Sequence, residues 1–215
     1  MNPEILCQAH IPKPLHGLNP RVLMGQEKWD VVRRKVYADA FYKCEACGTP
    51  KALVKGKNKW LEAHEFTRLD IKRGVMEVIK IVALCPYCHK FIHSGRLFMT
   101  MGKEMDKKET IAVLQHGFDI LRENHLRCFY ATKTIAEALG MSVKNVEVWG
   151  NDGEDGPDNW KKWYLLYEGK KYYSKFEDFD AWRDFYTPGW REVELDDMFE
   201  EESDSMFGSR YDEWR

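Results

Sequence analysis

The chain has 215 residues, 44% of them hydrophobic and 32% charged, with a formal net charge of -2. That length suits one or two small domains able to bury a core, and no apolar run approaches the ~20 residues of a membrane span. The opening stretch, MNPEILCQAHIPKPL, has no basic region leading into an apolar one, so no secretory leader and no membrane partner are expected, and the expected compartment is cytoplasmic.

Charge is distributed unevenly. Residues 1–100 carry 17 Lys and Arg against 9 Asp and Glu, whereas residues 101–215 carry 16 against 26. Eight of those acids fall within residues 192–204, which hold no Lys or Arg. A basic first half is compatible with a nucleic-acid partner and equally with a solvated surface.

Residues 1–25 contain Pro3, Pro12, Pro14 and Pro20, and repeated prolines predict an extended arm rather than a regular element. Residues 26–42 place Trp29, Val32, Val36 and Ala40 at helical spacing, with Arg33, Arg34 and Lys35 on other faces. In ALVKGKNKWLEAH, two short strands are expected around a turn at Lys55-Gly56-Lys57-Asn58. The β-branched run VMEVIKIVAL, residues 75–84, reads as another strand. A helix should follow Pro86 and carry His89 and His93.

Further on, residues 104–127 read as a helix through Ile111, Leu114, Phe118 and Leu121. Residues 136–146 show Ala136, Gly140 and Val146 in the spacing A-x3-G-x5-V, which resembles a helix-turn-helix; ordinary helix packing gives the same pattern. NDGEDGPDN is a loop by composition, KWYLLYEGKKYYSKF a hairpin turning at Glu168-Gly169, and residues 177–186 a short helix. The dense aromatics from Trp160 to Trp190 suit a compact core or a stacking surface. The acidic end, residues 191–215, reads as a tail.

Four of six cysteines form two C-x-x-C pairs, Cys44/Cys47 and Cys85/Cys88. Four thiolates from two such pairs can hold one tetrahedral Zn²⁺, and in a reducing compartment this pattern points to metal rather than to disulfides. Gly48 and Pro86 suit the tight loops. Cys7 and Cys128 read as buried thiols.

His64, Glu65, His89 and His93 form a second constellation. His89 and His93, four apart, share a helix face and suit one metal ion, with His64 opposite them. Through CEACG (44–48), LEAHEF (61–66) and ALCPYCHKFIH (83–93), the chain resembles the HNH endonuclease superfamily in its zinc-stapled form. More narrowly it resembles a group of bacterial and phage HNH-like proteins that add a W-D-x-x-R helix, here Trp29 to Arg33. The likeness spans about residues 15–98.

This resemblance implies an α+β fold with a ββα-metal, treble-clef-like zinc core over residues 26–100, and an appended α+β region over 101–190. It also implies DNA phosphodiester hydrolysis assisted by Mg²⁺, Mn²⁺ or another divalent ion, in a bacterial or phage-infected cell. His64, His89 and His93 would hold that ion. In one register, which keeps Phe66 at the apolar position, His64 is a ligand and Glu65 activates water; shifted by one residue, His64 is the base and Ala63 leaves the ligand place empty. Catalytic roles thus fall on His64, Glu65 and His89, and His89 could instead support the zinc site. The family's middle Asn is replaced by Lys80, which has no side-chain acceptor. Lys55, Lys57, Lys59, Arg68, Arg73, Lys90 and Arg96 surround this core and suit phosphate contacts. The alternative is a non-catalytic zinc module that binds DNA, or a protein through its C-terminal region, as in phage–host conflict.

Overall fold

A computed structural model of the chain describes residues 1–54, 60–99, 107–144, 146–149 and 156–186. Two long strands form its centre. β1 (Glu62–Asp70) and β2 (Val75–Leu84) pair antiparallel, with Glu62 opposite Leu84 and Asp70 opposite Val75. The connection closes on Gly74 at φ 66°, a left-handed conformation open to glycine at little steric cost. The register shifts between Phe66 and Thr67, and the Gln8 side-chain oxygen accepts from Thr67 N there, at 2.7 Å.

This hairpin lies later in the chain than the one expected. Residues Lys51–Leu53 form a 3-10 turn instead of a strand, and 55–59 fall outside the described residues. Lys55-Gly56-Lys57-Asn58 has turn chemistry, but Ala52-Leu53-Val54 is too short to supply a pairing strand, whereas Glu62–Asp70 matches the length of β2.

The proline-rich start is not extended throughout. Pro3–Cys7 and Lys13–Leu15 are 3-10 turns, and α1 (Pro20–Met24) is a short helix capped by Asn19, whose side chain accepts from Val22 N. Proline sits in the first turn of each, where its missing N–H has no partner to lose. Ile5 and Leu6 enter the main core. α2 (Gln26–Asp39) follows.

Pro86 opens α3 (Pro86–Ile92), and α4 (Ser94–Met99) continues after a break at His93. α5 (Lys107–Glu123) lies across α3 with Val113, Leu114, Phe118 and Leu121 buried. Phe91 and Phe118 meet edge to face at 5.3 Å. Gly117 makes this crossing feasible, because a Cβ there would lie 2.1 Å from the Phe91 ring.

Beyond α5, β3 (Cys128–Phe129) runs into α6 (Tyr130–Ala138) and pairs in parallel with β4 (Val148–Trp149). Residues 141–144 carry no helix, so the A-x3-G-x5-V spacing does not build a helix-turn-helix here. Gly140, at φ 75°, ends α6 and sends the chain towards a strand instead.

The predicted C-terminal hairpin is present. β5 (Tyr164–Tyr167) and β6 (Lys170–Tyr173) turn through Glu168 and Gly169, both at positive φ, as a two-residue hairpin requires. β5 pairs in parallel with β2, giving one sheet ordered β1-β2-β5-β6. Both halves of the chain therefore build the same sheet. Leu15, Met76, Trp163 and Leu165 form a second buried cluster at this junction. Trp163 and Phe176 are buried, whereas Phe179 and Phe185 of α7 (Phe179–Tyr186) are half exposed. The fold is thus mixed α+β. No helix among the described residues is long and apolar enough to cross a membrane.

Candidate metal centres

The first centre joins two tight turns. After α2 the chain folds back through a bridge between Lys43 and Pro50, with Cys44 N donating to Thr49 O and Gly48 N to Cys44 O. Cys85 is the residue that caps α3, and Cys88 lies in its first turn. The four Sγ atoms of Cys44, Cys47, Cys85 and Cys88 lie within 4.8 Å of one another, and Cys47 and Cys85 are 3.8 Å apart. A tetrahedral Zn²⁺ with bonds of about 2.3 Å has S–S edges of about 3.8 Å, so the donor set fits zinc. All six cysteines are free of disulfides.

Glu45, inside the first C-x-x-C, locks this turn onto β2. Its N–H donates to Ala83 O, and its carboxylate accepts from Ala83 N at 2.8 Å and from Lys80 Nζ at 2.7 Å. Lys80 is thereby engaged with Glu45. His116, on α5, places Nε2 3.5 Å from Cys88 Sγ, a contact that supports a metal-bound thiolate. Sequence reasoning missed both, because His116 carries no motif and the role of Glu45 depends on strand placement.

The second centre brings together the three expected histidines. His64 comes from β1, His89 from α3, and His93 from the break after α3. Their ring centroids lie 4.8 to 5.1 Å apart, and one ligand atom from each falls within 4.8 Å of the others. His93 Nε2 sits 3.2 Å from His64 Nδ1. Burial pushes the pKa of both His64 and His93 well down, which keeps the rings neutral and their lone pairs available.

Glu62, two residues before His64 on the same strand face, takes a hydrogen bond from His89 Nδ1. That contact leaves His89 Nε2 as the ligand atom and fixes the ring, in the manner of a carboxylate behind a metal-bound histidine. Burial raises the Glu62 pKa, but the His89 hydrogen bond and charge outweigh it and hold the group low. The alternation of Glu62 and His64 was the available signal, and the sequence reading overlooked it.

Glu65 alternates to the other face of β1, yet its carboxylate lies 3.9 Å from His64 Nδ1. Burial raises its pKa. Ser94, directly after His93, is fully buried, with His10 Nε2 at 2.9 Å and the Thr132 hydroxyl at 3.1 Å from its Oγ. This network ties the N-terminal segment and α6 to the break that aims His93.

The basic residues divide into two groups. Lys90 pairs with Glu109 at 3.1 Å, and Lys90 and Arg96 are close enough to lower the Glu62 pKa, so both border the histidine centre. Arg68 and Arg73 are exposed towards the far end of the hairpin, where Arg73 N donates to Asp70. Lys55, Lys57 and Lys59 lie outside the described residues, as does the acidic segment 191–215.

No protein-family model matches the sequence, and comparisons with curated proteins and with solved structures likewise find no match.

Proposed function

We propose that the protein is a zinc-stabilised, HNH-like metal-dependent endonuclease that hydrolyses DNA phosphodiester bonds. The observation that carries this reading is the convergence of His64, His89 and His93, with Glu62 behind His89, at the junction of a β-hairpin and the helix after it. The cysteine centre sits at the start of the same helix and would hold that junction rigid.

Three imidazoles suit Zn²⁺ or Ni²⁺ better than Mg²⁺ or Mn²⁺, which prefer oxygen donors. An ion bound there would supply a water of lowered pKa and positive charge for the phosphate. The chain's own groups then divide the work. Neutral His64 and His93 act as ligands, and Glu62 orients His89. The Glu65 carboxylate, 3.9 Å from His64 Nδ1, accepts the proton of the attacking water. Lys90 and Arg96 draw the phosphate backbone to the site.

A second reading has an observation of its own. Lys80 stands where the family has its middle Asn and is committed to Glu45, so no side-chain amide supports the site from that position. A non-catalytic zinc module that binds DNA, or a protein through its C-terminal region, would have this property.

The test is nicking of supercoiled plasmid with Zn²⁺, Ni²⁺, Mn²⁺ or Mg²⁺, run beside a His64→Ala/His89→Ala variant that retains its cysteine-bound zinc. Nicking by the parent protein alone supports the enzyme. Absence of nicking with DNA binding intact favours the module.

A further inference from the structure

The end of α2 departs from ordinary backbone chemistry. Phe41 N donates to Ala38 O and Tyr42 N to Tyr37 O, both at 2.8 Å, the hydrogen bonds of a Schellman helix stop. In that motif the residue after the cap adopts the left-handed conformation and is most often glycine. Here it is Phe41, at φ 51°, and Tyr42 follows at φ 53°. Two consecutive aromatic residues in this region carry a steric cost that glycine escapes.

Core packing does not repay that cost, because Phe41 is 81% exposed and Tyr42 53%. Lys51 N donates to Tyr42 O, and its ammonium stands 6.0 Å from the Tyr42 ring. Lys43 and Lys51 are both exposed, and Leu53 beside them is 69% exposed. Glu45, the acid of the same turn, is engaged by Lys80 and Ala83 N, and Asp39, two residues before Phe41, pairs with Lys35 at 2.6 Å. Strained, exposed rings flanked by two exposed lysines mark a surface kept for a partner.

We propose that Phe41 and Tyr42 form a stacking platform for the unpaired bases of a single-stranded nucleic acid, with Lys43 and Lys51 on its phosphates. Exposed rings beside lysines match this partner: base faces stack on aromatics regardless of sequence, and the backbone supplies the negative charge. The platform shares only its partner class with the nuclease reading and needs no hydrolysis. Stationed at the first zinc turn, it would hold a strand or frayed end next to the metal-binding half of the fold.

The test uses the full chain carrying His64→Ala/His89→Ala, so that no cleavage intrudes, and follows fluorescence anisotropy of a fluorescein-labelled dT 20-mer, with heparin as a purely electrostatic probe. Phe41→Gly relieves the left-handed strain, so its thermal midpoint should hold or rise while its affinity for the oligonucleotide falls about tenfold and heparin binding stays unchanged. Phe41→Trp, which keeps a ring, should retain binding. Unchanged oligonucleotide affinity in Phe41→Gly overturns the platform, as does an equal loss for heparin or no oligonucleotide binding by the parent. Ring-dependent binding in a protein that does not nick plasmid removes the nuclease reading alone. Nicking with ring-independent binding removes this one alone.

Discussion

The Glu62 carboxylate on β1 and the His89 Nδ1 on α3 share a hydrogen bond across the strand–helix junction. This places His89 Nε2 towards His64 and His93 and makes the ring's tautomer a consequence of the fold. Glu62→Gln is expected to weaken Co²⁺ or Zn²⁺ binding at the histidine centre by about 10–100-fold, read by calorimetric titration of protein that already holds its cysteine-bound zinc. Unchanged affinity would remove Glu62 from the site.

The cysteine centre joins a turn after α2 to the start of α3, so a metal held there would link segments that are distant in sequence. At least one zinc per chain, held by the four cysteines, is expected after purification without added metal. Chelation or Cys85→Ser should abolish the cooperative thermal transition, since metal-binding energy here is folding energy. Metal analysis beside circular dichroism checks this, and a metal-free chain with an unchanged transition would contradict it.

Glu45 and Lys80 form an ion pair at 2.7 Å whose two ends should differ sharply in weight. Glu45→Ala strands the N–H of fully buried Ala83 and should cost about 1–3 kcal/mol. Lys80→Ala removes a half-exposed cation and should cost under about 1 kcal/mol. Urea unfolding of both variants measures the difference, and equal losses would mean that the salt bridge, rather than the backbone contact, holds the turn.

His16 sets a pH dependence away from both metal centres. Its Nε2 contacts Ile11 O at 3.1 Å, and its Nδ1 accepts from Trp182 Nε1 at 3.0 Å. Burial lowers its pKa from 6.5 to about 4. Between those values the unfolded chain binds the proton that the native chain refuses, so stability is complete above pH 6.5 and falls as pH drops towards 4. A loss of about 2 kcal/mol by pH 5 is expected from this group. His16→Gln should be less stable at neutral pH and flatter across this window, as urea titrations at pH 7 and pH 5 would register; parallel slopes would refute it.

The cysteine pairs were readable because two short spacings already dictate a chelate, whatever lies between them. The strand at 75–84 was readable from its β-branched run, but its partner was misplaced. Lys55-Gly56-Lys57-Asn58 carries stronger turn chemistry than Ile71 to Gly74, and β1 mixes charged and apolar residues without clean alternation. His89 and His93 were paired through helical spacing; in the structure the helix breaks at His93, and the buried Ser94 network aims that ring. Glu62, His116 and His10 act through contacts between elements, which no local pattern encodes. The helix-turn-helix reading failed because its small-residue spacing is also that of a helix ending at a left-handed glycine.

The parallel pairing of β2 with β5 has a consequence for assembly during synthesis. Both cysteine pairs and all three site histidines leave the ribosome well before Tyr164, so the half that carries both candidate metal centres can order first. Until β5 arrives, Val75 to Glu77 on β2 present an open edge of backbone donors and acceptors, which invites strands from other chains. A nascent chain halted before the last hairpin would therefore be prone to self-association through this stretch, which β5 covers once it is made.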